Sequence, residues 1–256
     1  MSPTGKKRKG YYMGSKAKKA KRDLFGPGMK GFLCTCNKRV KECIREAYNV
    51  LDDFASKLYP KEEKKDCEEN IENELAKELQ ELKKDGEERR FQVVDTGSNS
   101  CVFIKTTLED PTKLAEAIAK DIHDTKIPRS KCLIRLIPIN TTCKAYMDDI
   151  TKMADKMFDE YFKGDPTTFS IFYTKRNNNT LLRDEVISML VQLVRDRNPG
   201  HKVDLKNSKK TIVIEVLKAV CGISVVSNFH QYRRYNLLEL CKKDGKEGEN
   251  KPISDD

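Results

Sequence analysis

Apolar positions recur along this chain with two different periods. From Gly31, GFLCTCN reads as a short apolar strand. Val40, Cys43, Ile44, Ala47, Leu51, Phe54 and Leu58 then fall three or four apart, which predicts an amphipathic helix with Asn37 as its cap. FQVVD and CVFIKT read as two strands joined through TGSNS in a hairpin. Pro111 opens a helix that runs to about His123, and CLIRLIPI is a fourth strand. The order β-α-β-β-α-β predicts a ferredoxin-like unit: a four-stranded antiparallel sheet, two helices on one face and right-handed crossovers.

A second unit begins near Cys143. Ala145, Met147, Ile150, Met153, Ala154, Met157, Phe158 and Tyr161 form one helical stripe, in which the methionines read as packing. A strand over 168–174, a helix over 181–195 and strands near 211–217 and 219–226 follow. A final helix over 228–241 carries Arg233 and Arg234. The fold class is therefore α+β, built of two α/β units. Residues 1–28 are Lys-, Gly- and Ser-rich and read as a disordered basic arm. The first unit covers 29–139, with a Glu/Lys-rich helical insertion at 61–90 whose carboxylates read as a solvated face. The second covers 140–241, and 242–256 reads as a disordered tail.

Charge changes the picture more than composition does. Residues 1–30 hold ten Lys and Arg against one Asp, and residues 125–236 hold twenty against eleven acidic residues. Residues 31–124 hold sixteen against twenty-two, so the net +10 is concentrated in the arm and the second unit. Such polarity favours a polyanionic partner. The runs Lys6-Lys7-Arg8-Lys9 and Lys16 to Arg22 read as a nuclear address, a phosphate-contacting tail or both, with the nucleus and the nucleolus as the expected location. No apolar run approaches the ~18 residues of a membrane span, and the basic N-terminus has no apolar core of a secretory signal. No membrane partner is expected.

Reactive constellations are missing. The histidines His123, His201 and His230 have no metal-type or triad-type neighbours in sequence. No GxGxxG, Walker A, HExxH or GxSxG occurs, and Gly26-Pro27-Gly28 reads as a turn. The nine cysteines form no CxxC pair, and Cys34 and Cys36 are expected on opposite faces of the first strand. Free thiols in a reducing compartment follow, with no metal, no catalytic residue, no cofactor and no small-molecule substrate.

The informative stretch is 169–226. A β-branched and aromatic strand, FSIFYT, exits into Lys175-Arg176-Asn177-Asn178, an amphipathic helix follows, and a VDL-K-N turn leads into IVIEV. Guanidinium, ammonium and amide donors at a strand end suit phosphates and splayed bases. The F-x-I…K-R-N-N exit, the R-D-E-V-I helix start (Arg183 to Ile187), V-D-L-x-N before I-V-I-E-V, and R-L-I-P-I-N-T-T-C-K-A (Arg135 to Ala145) together resemble the THUMP domain, an RNA-binding module of tRNA-modifying proteins. Ser208 departs from the pattern, which has Pro after Asn. The likeness is closest to stand-alone THUMP proteins that serve as tRNA-binding adaptors of an RNA cytidine acetyltransferase. That resemblance implies a non-catalytic adaptor holding the acceptor 3′ end of tRNA, for N4-acetylcytidine formation in the D-arm of serine and leucine tRNAs. Its implied RNA contacts are Arg135, Thr142, Lys144, Lys175, Arg176, Asn177, Asn178, Arg183, Lys209, Lys210 and Lys218. The alternatives are a ribosome-assembly or general RNA-binding factor, or an RNA-modifying enzyme with an unrecognised site.

Overall fold

The computed structural model describes residues 24–60 and 89–242. Most of the basic arm, nearly all of the charged insertion and the tail expected beyond residue 242 lie outside these residues.

The first unit contains β1 (Gly31–Cys36), α1 (Val40–Leu58), β2 (Phe91–Val94), β3 (Cys101–Thr106), α2 (Pro111–Thr125) and β4 (Leu133–Ile139). Its sheet has the order β2-β3-β1-β4, and every neighbouring pair is antiparallel. β1 is central and buried almost throughout, which is why its sequence is a run of apolar residues instead of an alternation. α1 buries Cys43, Ala47, Val50, Leu51, Phe54 and Ala55 at helical spacing. Asn37 does not cap it. The cap position is Arg39, without a side-chain bond, because Lys38 turns the chain through a φ of 58° first. α2 starts as its sequence requires, with the Asp110 carboxylate accepting from Thr112 N–H at 2.9 Å and Pro111 in the first turn.

Cys34 and Cys36 share a face, as the two-residue period of a strand dictates. The expectation that they point apart is corrected: both lie near Cys43 of α1, and burial pushes their thiols up. All eight cysteines among the described residues are free. Glu46 on α1 closes the entrance to β4. Its Oε2 accepts from the N–H groups of Lys131, Cys132 and Leu133 at 3.0, 2.8 and 3.0 Å. Burial works to raise this carboxyl, but the three donors together hold it below the usual glutamate range.

The second unit contains β5 (Thr141–Lys144), α3 (Met147–Phe162), β6 (Thr168–Arg176), α4 (Arg183–Arg197), β7 (Lys202–Val203), β8 (Lys210–Leu217) and β9 (Val220–Ser227). Its sheet has the order β5-β9-β8-β6-β7. β6 runs parallel to β7 and β8, while β8–β9 and β5–β9 are antiparallel. The short strands β5 and β7 carry no periodic signal of their own and are absent from the sequence-based expectation.

The alternation of β8 joins the two units. Ile212, Ile214 and Val216 enter the core beneath α3 and α4. Val213 and Leu217 turn the other way, into the core of the first unit. Glu215 shares that second face and is 1% exposed. Arg176 Nη1 donates to its Oε2 at 2.8 Å. Burial pushes this carboxyl up, and the charges of Arg176 and of Arg135 on β4 work against the rise. Nearby, Gly222 of β9 lets the units approach: a Cβ there would lie 3.1 Å from the Ile139 side chain. Ser227 N–H donates to Glu116 of α2 at 3.1 Å. Asn140, the one residue between β4 and β5, accepts from Thr112 and Ser224 hydroxyls.

Two terminal segments are corrected. The arm expected to run to residue 28 gives way to packed chain at Phe25, whose ring lies 4.7 Å from that of Phe103 at a tilt of 47° and whose N–H bonds Asp95 O. The expected final helix is a 3-10 turn, Arg233–Tyr235, and one turn of helix, α5 (Leu237–Leu240). Phe229, Tyr232, Tyr235, Leu237 and Leu240 belong to the core of the first unit, so the chain crosses back instead of completing the second.

Two stability effects follow. Arg176→Ala strands Glu215 inside the junction and is expected to cost about 3 kcal/mol at neutral pH. A carboxyl whose folded pKa is raised loses stability as pH rises, so the deficit shrinks on acidification, and Glu215→Gln in the same chain relieves it. Denaturant unfolding of the single and double variants at two pH values reads this; an Arg176→Ala chain as stable as the parent would exclude it. Glu46→Ala is expected to cost about 1–2 kcal/mol. Its depressed carboxyl stabilises above its unfolded pKa, so here the parent's advantage fades as pH falls through the folded value.

Candidate nucleic-acid interface

At one end of the second sheet, four segments converge through hydrogen bonds. β6 ends at Arg176, in register with Leu217 of β8. The β8–β9 turn holds Lys218 at a φ of 54°, and Lys218 N–H donates to Arg176 O at 3.0 Å. Asn178 Nδ2 donates to Lys218 O at 2.8 Å, while its Oδ1 accepts from Thr180 and Leu181 N–H, both at 3.1 Å. Asn177 takes a φ of 54°, a left-handed conformation that Asn tolerates. Lys175 Nζ donates to Leu181 O at 2.9 Å, just before α4 begins at Arg183. Ala145 N–H donates to Ala219 O at 2.9 Å, which brings in Lys144 and the start of α3.

The face is electropositive. Lys144, Lys175 and Lys218 are exposed and form no ion pair among the described residues. Arg183 is 65% exposed, and Asp184 lies 3.9 Å from it. Lys218 also reaches the first unit: a Cβ on Gly97 would lie 2.3 Å from its ammonium. Leu24 bridges Asp95 in the same β2–β3 loop. Uncompensated cations so arranged suit phosphates.

The structure brings together Lys144, Lys175, Arg176, Asn177, Asn178, Arg183 and Lys218, with differing freedom. Arg176 is engaged by Glu215 and Asn178 is engaged as a turn former, so neither offers the free guanidinium or amide that a protruding loop implied. Four other residues lie elsewhere. Arg135 is half-buried on β4 and turned toward Glu215. Thr142 is fully buried; its hydroxyl accepts from Met29 N–H at 2.8 Å and contacts Gly26 O and Met29 O, clamping the chain before β1. Lys209 and Lys210 sit at the opposite end of the parallel strands, roughly 23 Å away along β8. Lys210 bonds Tyr161 O and stacks over the Phe162 ring at 5.5 Å.

The other sequence-level candidates are structural. His201 accepts from Thr167 N–H at 3.0 Å and reaches Phe162 O at 2.8 Å, which uses both ring nitrogens. His230 lies 3.4 Å from Ser170 Oγ, and burial lowers its pKa. Ser208, where the pattern has Pro, bonds Ser170 at 2.8 Å and Thr211 at 3.2 Å inside the fold. Among the described residues no group of three His, Cys, Asp or Glu is placed to hold a metal ion. Sequence reasoning missed Glu215 and Tyr146. The signal for Glu215 is one carboxylate within TIVIEVL; for Tyr146 it is an aromatic where a helix usually takes a polar cap.

Known proteins place this architecture. The THUMP domain family model matches residues 144–226. "THUMP domain-containing protein 1 homolog" of Drosophila melanogaster is 38% identical over 91% of this chain and 81% of its own length. "tRNA acetyltransferase TAN1" of Saccharomyces cerevisiae is 30% identical over 90% of this chain and 91% of its own. The solution structure of the THUMP domain of THUMP domain-containing protein 1 is 42% identical over 32% of this chain and 86% of its own, with a TM-score of 0.31. The chain belongs to the THUMP domain-containing protein 1 family.

Proposed function

We propose that this chain is a tRNA-binding adaptor that presents tRNA to an RNA cytidine acetyltransferase. The observation that carries the reading is the cluster of exposed cations, Lys144, Lys175, Lys218 and Arg183, at the end of the sheet within the THUMP match. The name of the yeast relative ties this family to tRNA acetylation. In this reading the face holds the acceptor end, the basic arm adds phosphate contacts, and the enzyme forms N4-acetylcytidine in the D-arm of serine and leucine tRNAs. The work takes place in the nucleus, in the nucleolus within it, as the basic runs of the arm suggest.

A second reading comes from the same relative, which is named an acetyltransferase in its own right. The two separate in one assay. Purified chain is incubated with tRNA, acetyl-CoA and ATP, alone and with a cytidine acetyltransferase. Acetylation that requires both proteins supports the adaptor; turnover by the chain alone establishes the enzyme.

Binding itself is expected to be electrostatic. Two or more phosphate contacts, each releasing counterions, make tRNA affinity fall roughly tenfold or more between about 50 and 200 mM salt. Lys218→Ala weakens binding and flattens that slope without lowering the melting temperature, because its side chain is exposed. Filter binding across a salt series checks this, and a flat response in the parent chain would remove the electrostatic basis of the reading.

A further inference from the structure

Two large apolar side chains stand in the open on the electropositive face. Tyr146 is 60% exposed and Leu182 56%. Each is the residue immediately before a helix, α3 and α4 respectively, and neither caps its helix through a side-chain bond. Ser, Thr, Asp or Asn is usual at such positions because its oxygen satisfies a free N–H. Neither capping nor core packing therefore accounts for an aromatic ring and a leucine here.

The two residues belong to one surface. α3 and α4 pack together, and Arg197 near the far end of α4 bonds Asp155 and Asp159 of α3 at 2.6 and 3.1 Å. The helices thus run in the same direction, with both starts at the same end of the sheet. Ala145, next to Tyr146, bonds the β8–β9 turn. Next to Leu182, the Leu181 carbonyl accepts from Lys175 Nζ and the Leu181 N–H donates to Asn178 Oδ1. Lys144, Lys175, Arg183 and Lys218 lie at this same end of the sheet.

Charge decides what fits there. A helix start ordinarily attracts phosphate. Here the first turns carry Asp148 and Asp149 in α3 and Asp184 and Glu185 in α4, which repel an anion from the helix ends. Phosphates are left to the lysines at the strand ends. The group that suits the exposed ring between them is flat, uncharged and tethered to phosphate, which describes a nucleobase. It must be unpaired, because a base within a duplex has both faces covered by its neighbours.

We propose that Tyr146, at the same end of the sheet as Leu182, is a stacking subsite for an unpaired base of the bound RNA, whose adjoining phosphates lie on Lys144, Lys175 and Lys218. The proposal rests on the RNA-binding reading above and adds a residue that discriminates single-stranded from paired RNA.

The test uses the full chain and two RNAs that share one stem, the first with a single-stranded 3′ extension and the second blunt-ended. Tyr146→Ala is expected to weaken binding to the extended RNA roughly tenfold, within the range measured for base–aromatic stacking, and to leave the blunt RNA within about twofold. Tyr146→Phe keeps the ring and restores the parent affinity. The salt slope of Tyr146→Ala matches the parent's, since stacking releases no counterion, whereas Lys218→Ala changes it. An equal loss on both RNAs, or a Phe variant as weak as the Ala variant, overturns the stacking subsite. If Lys218→Ala weakens binding and Tyr146→Ala does not, the subsite fails while the RNA-binding face stands. If neither variant matters, the face fails, and the subsite with it.

Discussion

The contact between Arg176 and Glu215 fixes what this molecule can be. A glutamate on the inner face of β8, almost without solvent, is tolerated because a guanidinium from the neighbouring strand reaches it and a second one, on Arg135, faces it from the other unit. The pair sits on the face of β8 that meets the first unit, and it ties the exit of β6 to β8 there. A buried ion pair of this kind is weak evidence of stability, because desolvation offsets much of the attraction. Its effect is on placement: the loop after β6 begins from a fixed point, and Asn178 locks that loop to the adjoining hairpin. The lysines of the face therefore project from a rigid frame.

Much of this was legible in the sequence. Helical and strand periods located both units because their elements are amphipathic or wholly apolar, and the segment over 169–226 resembled the THUMP domain to which the chain proves to be related. The strand β7 escaped notice because two exposed residues carry no pattern. The last segment was misassigned for a different reason. Phe229, Tyr232 and Tyr235 are spaced as a helix might be, yet Arg233, Arg234 and Tyr235 take left-handed backbone conformations, and no local signal tells which of two cores such aromatics will enter.

At the candidate face, sequence reasoning identified residue types better than their freedom. Lys175, Lys218, Lys144 and Arg183 lie at one end of the second sheet. Arg176, Asn178 and Thr142 carry the same donors on paper, but folding had already assigned them partners: a carboxylate, a turn and the chain before β1. Lys209 and Lys210 failed for a geometric reason, since residues at the two ends of a parallel strand pair share a sheet without sharing an end. Charge and amide content are local properties, whereas availability depends on contacts between positions far apart in the chain.

The crossing of the chain after Ser227 has a consequence for how the protein is made. The core of the first unit takes Phe229, Tyr235, Leu237 and Leu240 from the far side of the second. During synthesis, β1 to β4 emerge long before those side chains exist. The first sheet must wait with part of its apolar surface uncovered while more than eighty further residues are added. Domains that emerge first usually finish first; here the earliest unit is completed last, which gives nascent chains of this protein an extended need for shelter from aggregation.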